Sequence, residues 1–311
     1  MRTVQMPQTG LSAPQVILGM MRIAEMDDDA VRALVNAARD VGIDYFDHAD
    51  IYSPGLSLHA CERRFAQAMQ LSPTEREKVT LQTKVGIVKD GPFYDFSYQH
   101  IISSVEASLR ALNTEYLDVL LLHRPDPLVE PDEVARAFEE LEGSGKVRHF
   151  GVSNHTSAQL ELLRRSLNQP LSVNQLQLSL PHAAIVTEGI LANTLGASPE
   201  VSPDGAGVVE YCRMHGISLQ AWSPYQSPTG VFIDNPDYPE LNAALEELAK
   251  KHGVTPTGIA TAWITRHPAD IQVVLGTTQP GRVQEAAAGA QVRLSRAEWF
   301  QLLRAAGHTV P

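Results

Sequence analysis

Two carboxylates, an imidazole and a phenol occur within six positions of each other, directly after a short apolar run. A proline and a glycine follow them and predict a turn, so these groups lie where a strand ends in a loop. In an α/β barrel, such strand ends carry the catalytic side chains. Taken alone, a polar loop with one tyrosine packed into the core explains the stretch better. The four residues are Asp47, His48, Asp50 and Tyr52.

Two later strands also end in a residue that can take part in proton transfer. The third predicted strand ends in Lys84, and the fourth is followed directly by His123. The carboxyl ends of parallel strands meet at one rim of a barrel, so Asp47, Tyr52, Lys84 and His123 are predicted to lie together. A lone lysine or histidine at such a position is more often a solvated or core residue. A matched set of four strand ends is hard to explain by accident.

These four side chains suit the protonation of a carbonyl oxygen. A tyrosine hydroxyl has a pKa of roughly 10 in water, and a neighbouring ammonium would lower the pKa of Tyr52. Asp47 would hold the ammonium of Lys84 charged and in place. A neutral His123 could hydrogen-bond the oxygen of a bound carbonyl. The set therefore predicts a site that protonates a carbonyl oxygen as hydride reaches its carbon.

Eight apolar runs alternate with helical patterns along the 311 residues, which is the pattern of a (β/α)8 TIM barrel of the α/β class. The runs are continuously apolar, as in strands covered on both faces. A doubly wound sheet is the alternative, but no glycine-rich dinucleotide motif or phosphate-loop motif occurs. The predicted strands are 16–20, 44–47, 79–84, 117–122, 147–152, 172–176, 217–221 and 271–275. The predicted helices are 27–41, 58–70, 97–112, 131–142, 156–166, 208–215, 256–267 and 281–290.

Four further segments lie outside the repeated units. A β-hairpin is predicted at 3–13 and a capped amphipathic helix at 295–306. The long segments 178–207 and 224–240 both follow strands and are predicted to be loops that shape the substrate site. No linker or low-complexity tract divides the chain, so residues 1–311 are predicted to form a single domain.

Composition excludes several classes of protein. The net charge of -11 and the pI near 5.4 argue against a nucleic-acid binder, which needs a basic face. The two cysteines form neither a disulfide framework nor a metal-ligand spacing, which favours a reducing compartment. The N-terminus has no signal-peptide pattern, and no apolar run is long enough to cross a membrane. A cytoplasmic protein that binds neither nucleic acid nor membranes is expected.

Several ordered motifs run through the chain. Gly-Ile-Asp-Tyr-Phe-Asp-His-Ala-Asp-Ile-Tyr occupies 42–52, and Ser-Leu-Arg-Ala-Leu occupies 108–112. Tyr-Leu-Asp followed by Leu-Leu-Leu-His-Arg-Pro-Asp spans 116–126, and Gly-Lys-Val-Arg running into Gly-Val-Ser-Asn spans 145–154. These motifs resemble the signatures of the aldo-keto reductase superfamily. With Ala-Trp-Ser at 221–223, the chain looks most like its bacterial oxidoreductase branch of the YdhF type.

The resemblance implies a (β/α)8 barrel that reduces aldehydes or ketones with NADPH. By match to the family's four catalytic positions, Tyr52 would be the general acid and Lys84 its pKa-lowering partner. Asp47 would anchor the lysine, and His123 would orient the carbonyl. The side chains expected near the substrate are Met21, Arg22, His48, Phe93, Tyr94 and Arg124.

The resemblance also implies a cofactor site. Gln279 and Ala286 depart from the family pattern, and one cation fewer near the 2′-phosphate leaves NADH possible, although NADPH is expected. Ser153, Asn154 and Gln175 match the positions that hold the nicotinamide carboxamide, and Trp222 matches the residue that stacks on the ring. Ser223 and Pro224 match the pyrophosphate segment. Gly276, Thr277, Thr278, Arg282 and Glu285 match the adenosine-phosphate loop, where Arg282 would face the 2′-phosphate.

Two other functions stay open at this stage. The same barrel could be an NADP(H)-binding regulatory subunit with little or no turnover. It could instead be a metal-dependent hydrolase, with Asp47, His48, Asp50 and His123 as ligands. That second alternative makes poor use of Lys84 and Tyr52, and His48 and Asp50 need not point at one centre. A monomer is expected by analogy with the family, and the sequence does not identify the physiological carbonyl compound.

Overall fold

A short antiparallel hairpin opens the chain, and eight parallel strands then close into a barrel. The computed structural model describes residues 1–52, 55, 57–191 and 207–310. The hairpin strands are β1 (Thr3–Met6) and β2 (Leu11–Pro14). The barrel strands are β3 (Val16–Gly19), β4 (Tyr45–Asp47), β5 (Thr80–Val85), β8 (Leu117–Leu122), β9 (Val147–Ser153), β10 (Leu171–Gln177), β11 (Ser218–Trp222) and β14 (Gln272–Leu275). Two short pairs complete the strands: β6 (Ile87–Val88) with β7 (Phe93–Tyr94), and β12 (Gln226–Ser227) with β13 (Gly230–Val231).

Helices connect the barrel strands, and polar side chains cap several of them. The Asp27 side chain accepts from the Ala30 N–H in the first turn of the helix that follows it, and Ser295 forms the predicted capping box with Glu298. No helix in the described ranges is long and apolar enough to cross a membrane. The helices are α1 (Asp28–Asp40), α2 (Ala60–Met69), α3 (Pro73–Arg76), α4 (Tyr98–Leu112), α5 (Pro131–Gly143), α6 (Ser157–Arg164), α7 (Ala184–Leu191), α8 (Val208–His215), α9 (Pro239–His252), α10 (Pro256–Thr265), α11 (Pro280–Gly289) and α12 (Arg296–Ala305).

The barrel closes where its first strand pairs with its last. Val16 of β3 lies opposite Val273 of β14, and the order around the barrel is β3, β4, β5, β8, β9, β10, β11 and β14. Every residue of β3, β8 and β14 is buried, because helices cover the outside and side chains fill the inside. The predicted (β/α)8 barrel, its N-terminal hairpin and its C-terminal helix are confirmed.

The N-terminal end of the barrel interior is apolar and is covered by the hairpin. Met6 of β1 and Ala13 of β2 pack in the same buried cluster as inward-facing residues of the barrel strands. The hairpin lies at this end because β3 follows it directly. The candidate catalytic side chains lie at the opposite end, where the strands terminate. The barrel residues of the cluster are Ile17, Tyr45, Val119, Leu121, Val173 and Val274.

Two of the predicted loops contain regular structure. Segment 224–240 holds the small hairpin of β12 and β13 and then enters α9, a helix that the sequence analysis did not predict. Leu241, Leu245 and Leu248 are buried at helical spacing behind an N-terminal proline, so the signal for α9 was present. Segment 178–207 contains α7. Residues 192–206 of this segment lie outside the described residues.

Candidate active site

Asp47 is the last residue of β4, and Lys84 is the next to last residue of the neighbouring strand β5. The two form a buried ion pair in which each side chain is 1% exposed. The Lys84 Nζ atom lies 2.6 Å from both carboxylate oxygens of Asp47. It also donates to the His48 carbonyl at 2.9 Å and to the Tyr52 hydroxyl at 2.8 Å. Burial lowers the pKa of Lys84, and the Asp47 charge opposes that shift. The three ammonium hydrogens thus tie Tyr52 to the carboxylate.

The Tyr52 hydroxyl sits between the ammonium and the carboxylate. It accepts from Lys84 and donates to Asp47 Oδ2 over 3.2 Å. Burial, followed by the negative charge of Asp47, raises the pKa of Tyr52 well above its usual value. This direction is opposite to the one that a neighbouring ammonium alone predicts, because burial disfavours the charged phenolate and the Asp47 carboxylate adds to that effect. The resting phenol therefore keeps its proton at neutral pH.

His123 follows β8 and faces Tyr52 across the barrel mouth. The two rings meet edge to face, with centroids 6.1 Å apart and planes inclined by 79°. Burial, then the charge of Lys84, lowers the pKa of His123 well below its usual value, so the imidazole is neutral. The structure thus brings Asp47, Tyr52, Lys84 and His123 together at one rim, as their strand ends predicted.

His48 does not lie at the pocket, contrary to the expectation that it contacts the substrate. Successive residues of a strand point to opposite faces, so the side chain that follows inward-facing Asp47 turns outward. His48 is fully buried and packs edge to face on Phe65 of α2, with ring centroids 5.0 Å apart. Only its backbone carbonyl reaches the site, where it accepts from Lys84.

The residues that match the carboxamide-binding positions form a connected group beside the tetrad. Asn154 adopts a left-handed backbone conformation with a φ of 62° directly after β9. Its side chain donates to the His123 carbonyl at 3.3 Å and accepts from Trp222 Nε1 at 3.0 Å. Ser153 donates to the Gln175 carbonyl at 2.8 Å. The ends of β8, β9, β10 and β11 are therefore linked through Asn154 and Ser153.

Arg124 is a cationic side chain on the rim near Trp222. The guanidinium of Arg124 lies over the Trp222 ring, 5.5 Å from its centroid. Met21 follows β3 and is partly buried. Phe93 and Tyr94, also expected at the substrate, lie on β7 and are 51% and 41% exposed. They belong to the short strand pair of β6 and β7 that follows β5, and about half of each residue is exposed.

The segment from β14 into α11 contains the residues that match the adenosine-phosphate loop. Arg22, expected at the substrate, instead donates from Nη1 to the Gly276 carbonyl at 2.5 Å. Thr277 Oγ1 accepts from the Gln279 N–H at 3.0 Å, and Arg282 is exposed in the first turn of α11. Glu285 accepts from Thr255 at 3.3 Å. Ser223, Pro224 and Thr278 lie directly after β11 and β14.

A glycine contact sets the position of α11. A Cβ atom on Gly289 of α11 would overlap the backbone of Gly258 in α10. The two helices therefore approach each other more closely than any side chain would permit. This contact lies at the C-terminal end of α11. It holds in place the helix whose N-terminus follows the segment that matches the adenosine-phosphate loop.

Three buried glutamines next to Asp47 were missed by the sequence analysis in this role. Gln82 and Gln175 both donate to Asp47 Oδ1, at 2.5 Å and 3.1 Å. Both also donate to Gln220 Oε1, at 2.9 Å and 3.0 Å. The signal was present in the sequence for Gln82, because a residue two positions before Lys84 shares its face of the strand.

The described part of the chain contains no cluster of side chains suited to bind a metal ion. No group of three or more His, Cys, Asp or Glu side chains there is arranged to hold a metal ion. Asp47 is occupied by Lys84, and His48 points away from it. The donor set of the mouth instead suits a bound organic cofactor: an amide-rich group, an aromatic face and a loop that ends at a helix N-terminus with an exposed arginine.

Comparison with known proteins assigns the class. The family model described as the aldo/keto reductase family matches residues 15–305. The uncharacterized oxidoreductase YcsN of Bacillus subtilis is 36% identical over the whole of both chains. The 6-dehydroglucose reductase of Agrobacterium fabrum is 34% identical over 94% of each chain. The oxidoreductase YdhF of Escherichia coli is 34% identical over 95% of this chain and 94% of its own.

A solved structure agrees with this assignment. The crystal structure of a putative 2,5-diketo-D-gluconic acid reductase B superimposes with a TM-score of 0.74 and 26% identity, covering 98% of this chain and 92% of that one. The chain belongs to the aldo/keto reductase family. It is an oxidoreductase of the kind that acts on carbonyl compounds, and its resemblance to bacterial oxidoreductases of the YdhF type is confirmed.

Proposed function

We propose that this protein reduces an aldehyde or ketone with NADPH as the hydride donor and Tyr52 as the general acid. The observation that carries the proposal is the Tyr52 hydroxyl, held between Lys84 and Asp47 and facing a neutral His123. No structural role requires a protonated phenol, a buried ammonium and a neutral imidazole beside one another. Proton delivery to a carbonyl oxygen requires all three.

Proton transfer follows from the hydrogen bonds already present. Lys84 donates to the phenol oxygen, so the single proton of Tyr52 points to Asp47 over a long 3.2 Å contact. A carbonyl oxygen between Tyr52 and His123 would be a competing acceptor, reached by rotation of the hydroxyl. His123 would donate a second hydrogen bond to that oxygen. As the proton leaves, the ammonium 2.8 Å away stabilises the phenolate.

A bound NADPH would supply the hydride. Asn154 and Gln175 would hold its carboxamide, and Trp222 would support its ring. Both side-chain N–H groups of Gln175 already donate, to Asp47 and Gln220. The side-chain oxygen Oε1 of Gln175 is therefore left to accept from a carboxamide. Arg282 is exposed in the first turn of α11, where an arginine fork suits the 2′-phosphate. Arg22, fixed on the Gly276 carbonyl, supplies a second cation near the same loop. Two guanidinium groups favour NADPH over NADH despite the neutral Gln279.

A carbonyl compound with several hydroxyl groups is the substrate class that we favour. Two relatives, 34% and 32% identical, carry the name 6-dehydroglucose reductase. In this chain, Arg124 follows His123 directly, and its guanidinium is fixed over Trp222 at the rim. Its donors are available to hydroxyl or carboxylate oxygens of a sugar-derived aldehyde.

The test follows the nicotinamide absorbance of wild-type protein and of Tyr52→Phe with NADPH and with NADH. The panel pairs polyhydroxy aldehydes with alkyl aldehydes of equal chain length. We expect turnover with NADPH, faster on the polyhydroxy compounds, and a loss of about 10²-fold to 10⁴-fold in kcat for Tyr52→Phe. The variant keeps the ring and should bind NADPH with unchanged affinity.

Two outcomes would overturn the proposal. Tight NADPH binding without turnover on any carbonyl would favour the regulatory subunit that the sequence left open. Turnover that survives in Tyr52→Phe would remove Tyr52 from the role of general acid. Equal rates on the paired aldehydes would leave the reaction class intact and overturn only the substrate class.

A further inference from the structure

The interior of this barrel is polar at a level where such barrels are usually filled by branched aliphatic side chains. Gln82, Gln175 and Gln220 are 0%, 2% and 1% exposed, and Tyr45 beneath them is fully buried. We call these four residues the amide layer. None of their buried side-chain polar atoms lacks a hydrogen-bond partner in the described structure. A buried amide is costly without partners, so the hydrogen bonds within the layer restrict how its side chains can be oriented.

The direction of the hydrogen bonds follows from one fixed point. The Asp47 carboxylate can only accept, so Gln82 and Gln175 must each turn an N–H toward Oδ1. Their second hydrogens then go to Gln220 Oε1, which leaves the Gln220 Nε2 atom to face the Tyr45 oxygen at 3.4 Å. Tyr45 in turn donates to Gln82 Oε1 at 2.8 Å. These hydrogen bonds form a closed ring in which each amide group has only one possible orientation.

Strand register builds this arrangement. Asp47 of β4 pairs with Gln82 of β5, and Gln175 of β10 pairs with Gln220 of β11. Side chains two positions apart share a face, so Tyr45 lies below Asp47 and Gln82 lies below Lys84. The layer therefore sits directly beneath the ion pair, between the apolar barrel interior and the mouth.

The two oxygens of the Asp47 carboxylate accept hydrogen bonds from different groups. Oδ1 accepts from Gln82 and Gln175, whereas Oδ2 accepts from the Tyr52 hydroxyl, and Lys84 reaches both. Rotation of the carboxylate would break two amide hydrogen bonds at once. Tyr52 therefore meets the same oxygen in every molecule, at a distance that the layer sets.

We propose that Gln82 and Gln220, supported by Tyr45, are positioning residues that fix the Asp47 carboxylate and thereby control how readily Tyr52 gives up its proton. This inference rests on the proposed carbonyl reduction. Without the amide donors, less of the Asp47 charge would be neutralised. The carboxylate would then compete more strongly for the Tyr52 proton, and the phenol would become a weaker acid.

The test compares two buried glutamines. Gln82→Met removes the donor to Asp47 at nearly constant volume. Gln15→Met is the matched control, because Gln15 is equally buried and its side chain donates at 3.2 Å to the Thr265 carbonyl, at the far end of the barrel, with no other side-chain hydrogen bond among the described residues. Both variants and the wild type are assayed for kcat and for KM across pH. The ultraviolet absorbance of the phenolate is titrated in parallel, with Tyr52→Phe subtracted.

We expect Gln82→Met to lower kcat about tenfold, the size expected for losing one hydrogen bond to a charged group, with KM for the carbonyl unchanged. The alkaline limb of the pH profile and the phenolate signal should both move to higher pH. Gln15→Met should keep the wild-type pH profile and phenolate titration, whatever its effect on thermal stability. Gln220→Met should shift the profile less than Gln82→Met, since Gln220 acts through Gln82 and Gln175.

Equal profiles and equal phenolate titrations for Gln82→Met and Gln15→Met would overturn the inference and make the layer a matter of packing. A rise in KM at constant kcat would overturn it as well. If the wild type reduces no carbonyl, the proposed function fails. The phenolate titration then still decides whether the layer controls Tyr52.

Discussion

The barrel mouth around Asp47 and the loop that enters α11 are built in opposite ways. Asp47, Lys84 and Gln82 are at most 1% exposed, and protein atoms satisfy their charges and amides. The Arg282 side chain is exposed and, among the described residues, forms neither an ion pair nor a hydrogen bond. The first region is therefore organised before any ligand binds. The second would be organised by the charge of the ligand.

Substitutions in the two regions should therefore differ in whether they change the stability of the fold or only the binding of the cofactor. Removing one partner of the buried ion pair leaves an unpaired charge in the interior, so the fold and the reaction should suffer together. Removing an exposed arginine leaves nothing unpaired within the described structure, so only cofactor binding should change. Variants in the two regions can therefore be told apart by measuring stability and kinetics on the same samples.

Lys84→Met should have the largest effect. The variant leaves Asp47 buried without its ammonium, and we expect the free energy of unfolding to fall by about 3–5 kcal/mol. Without the lysine to stabilise the phenolate, kcat should fall by roughly 10³-fold. Chemical denaturation and steady-state kinetics measure the two quantities. Adding Asp47→Asn to Lys84→Met should restore much of the stability and none of the activity; if it restored no stability, the unpaired charge would not be the cause.

The pH dependence of stability should be the second largest effect. Burial lowers the pKa of His48 to about 4, against about 6.5 in an unfolded chain. Between these values the unfolded state binds a proton that the folded state does not, so stability falls as the pH falls. By pH 5 the loss from His48 should be about 2 kcal/mol relative to neutral pH.

His48→Phe tests this expectation, because the ring is retained against Phe65 while its titration is removed. Its free energy of unfolding should fall less between pH 7 and pH 5 than that of the wild type. Parallel curves for the two proteins over that range would show that His48 does not contribute. His155, whose pKa burial likewise lowers to about 4, should give the variant a residual slope of similar size.

Arg282→Ala should have the smallest effect on free energy and none on the fold. Losing one guanidinium contact to the 2′-phosphate should raise KM for NADPH about tenfold, which corresponds to roughly 1.4 kcal/mol. KM for NADH and kcat should stay constant, and the melting temperature should match that of the wild type. Arg296→Ala, an exposed arginine of α12, is the matched control. An equal rise in KM for both cofactors would place the contact of Arg282 elsewhere.

The sequence predicted most of the fold because each barrel strand is covered on both faces and reads as one apolar run. It predicted the meeting of Asp47, Tyr52, Lys84 and His123 because strand ends share a rim. His48 was wrong as a substrate contact, because a residue next to an inward-facing one turns outward.

Long-range contacts explain the other misses. Arg22 was expected at the substrate, but a hydrogen bond to Gly276, which is distant in sequence, determines its position. The partners of Gln82 and Gln220 lie on other strands, so neither role can be read from a local motif. The direction of the Tyr52 pKa shift depends on the burial of the phenol and on the nearby Asp47 carboxylate, which residue types alone do not give.

The pairing of β3 with β14 has a consequence for synthesis of the chain on the ribosome. Val16 finds its partner, Val273, only when nearly the whole chain has been made. At cellular rates of translation, the edge of β3 stays unpaired for some tens of seconds after it emerges. During that interval an apolar strand is exposed to other nascent chains and to chaperones. The yield of this enzyme in a cell should therefore respond to the speed of translation and to chaperone supply more strongly than the stability of the finished barrel would indicate.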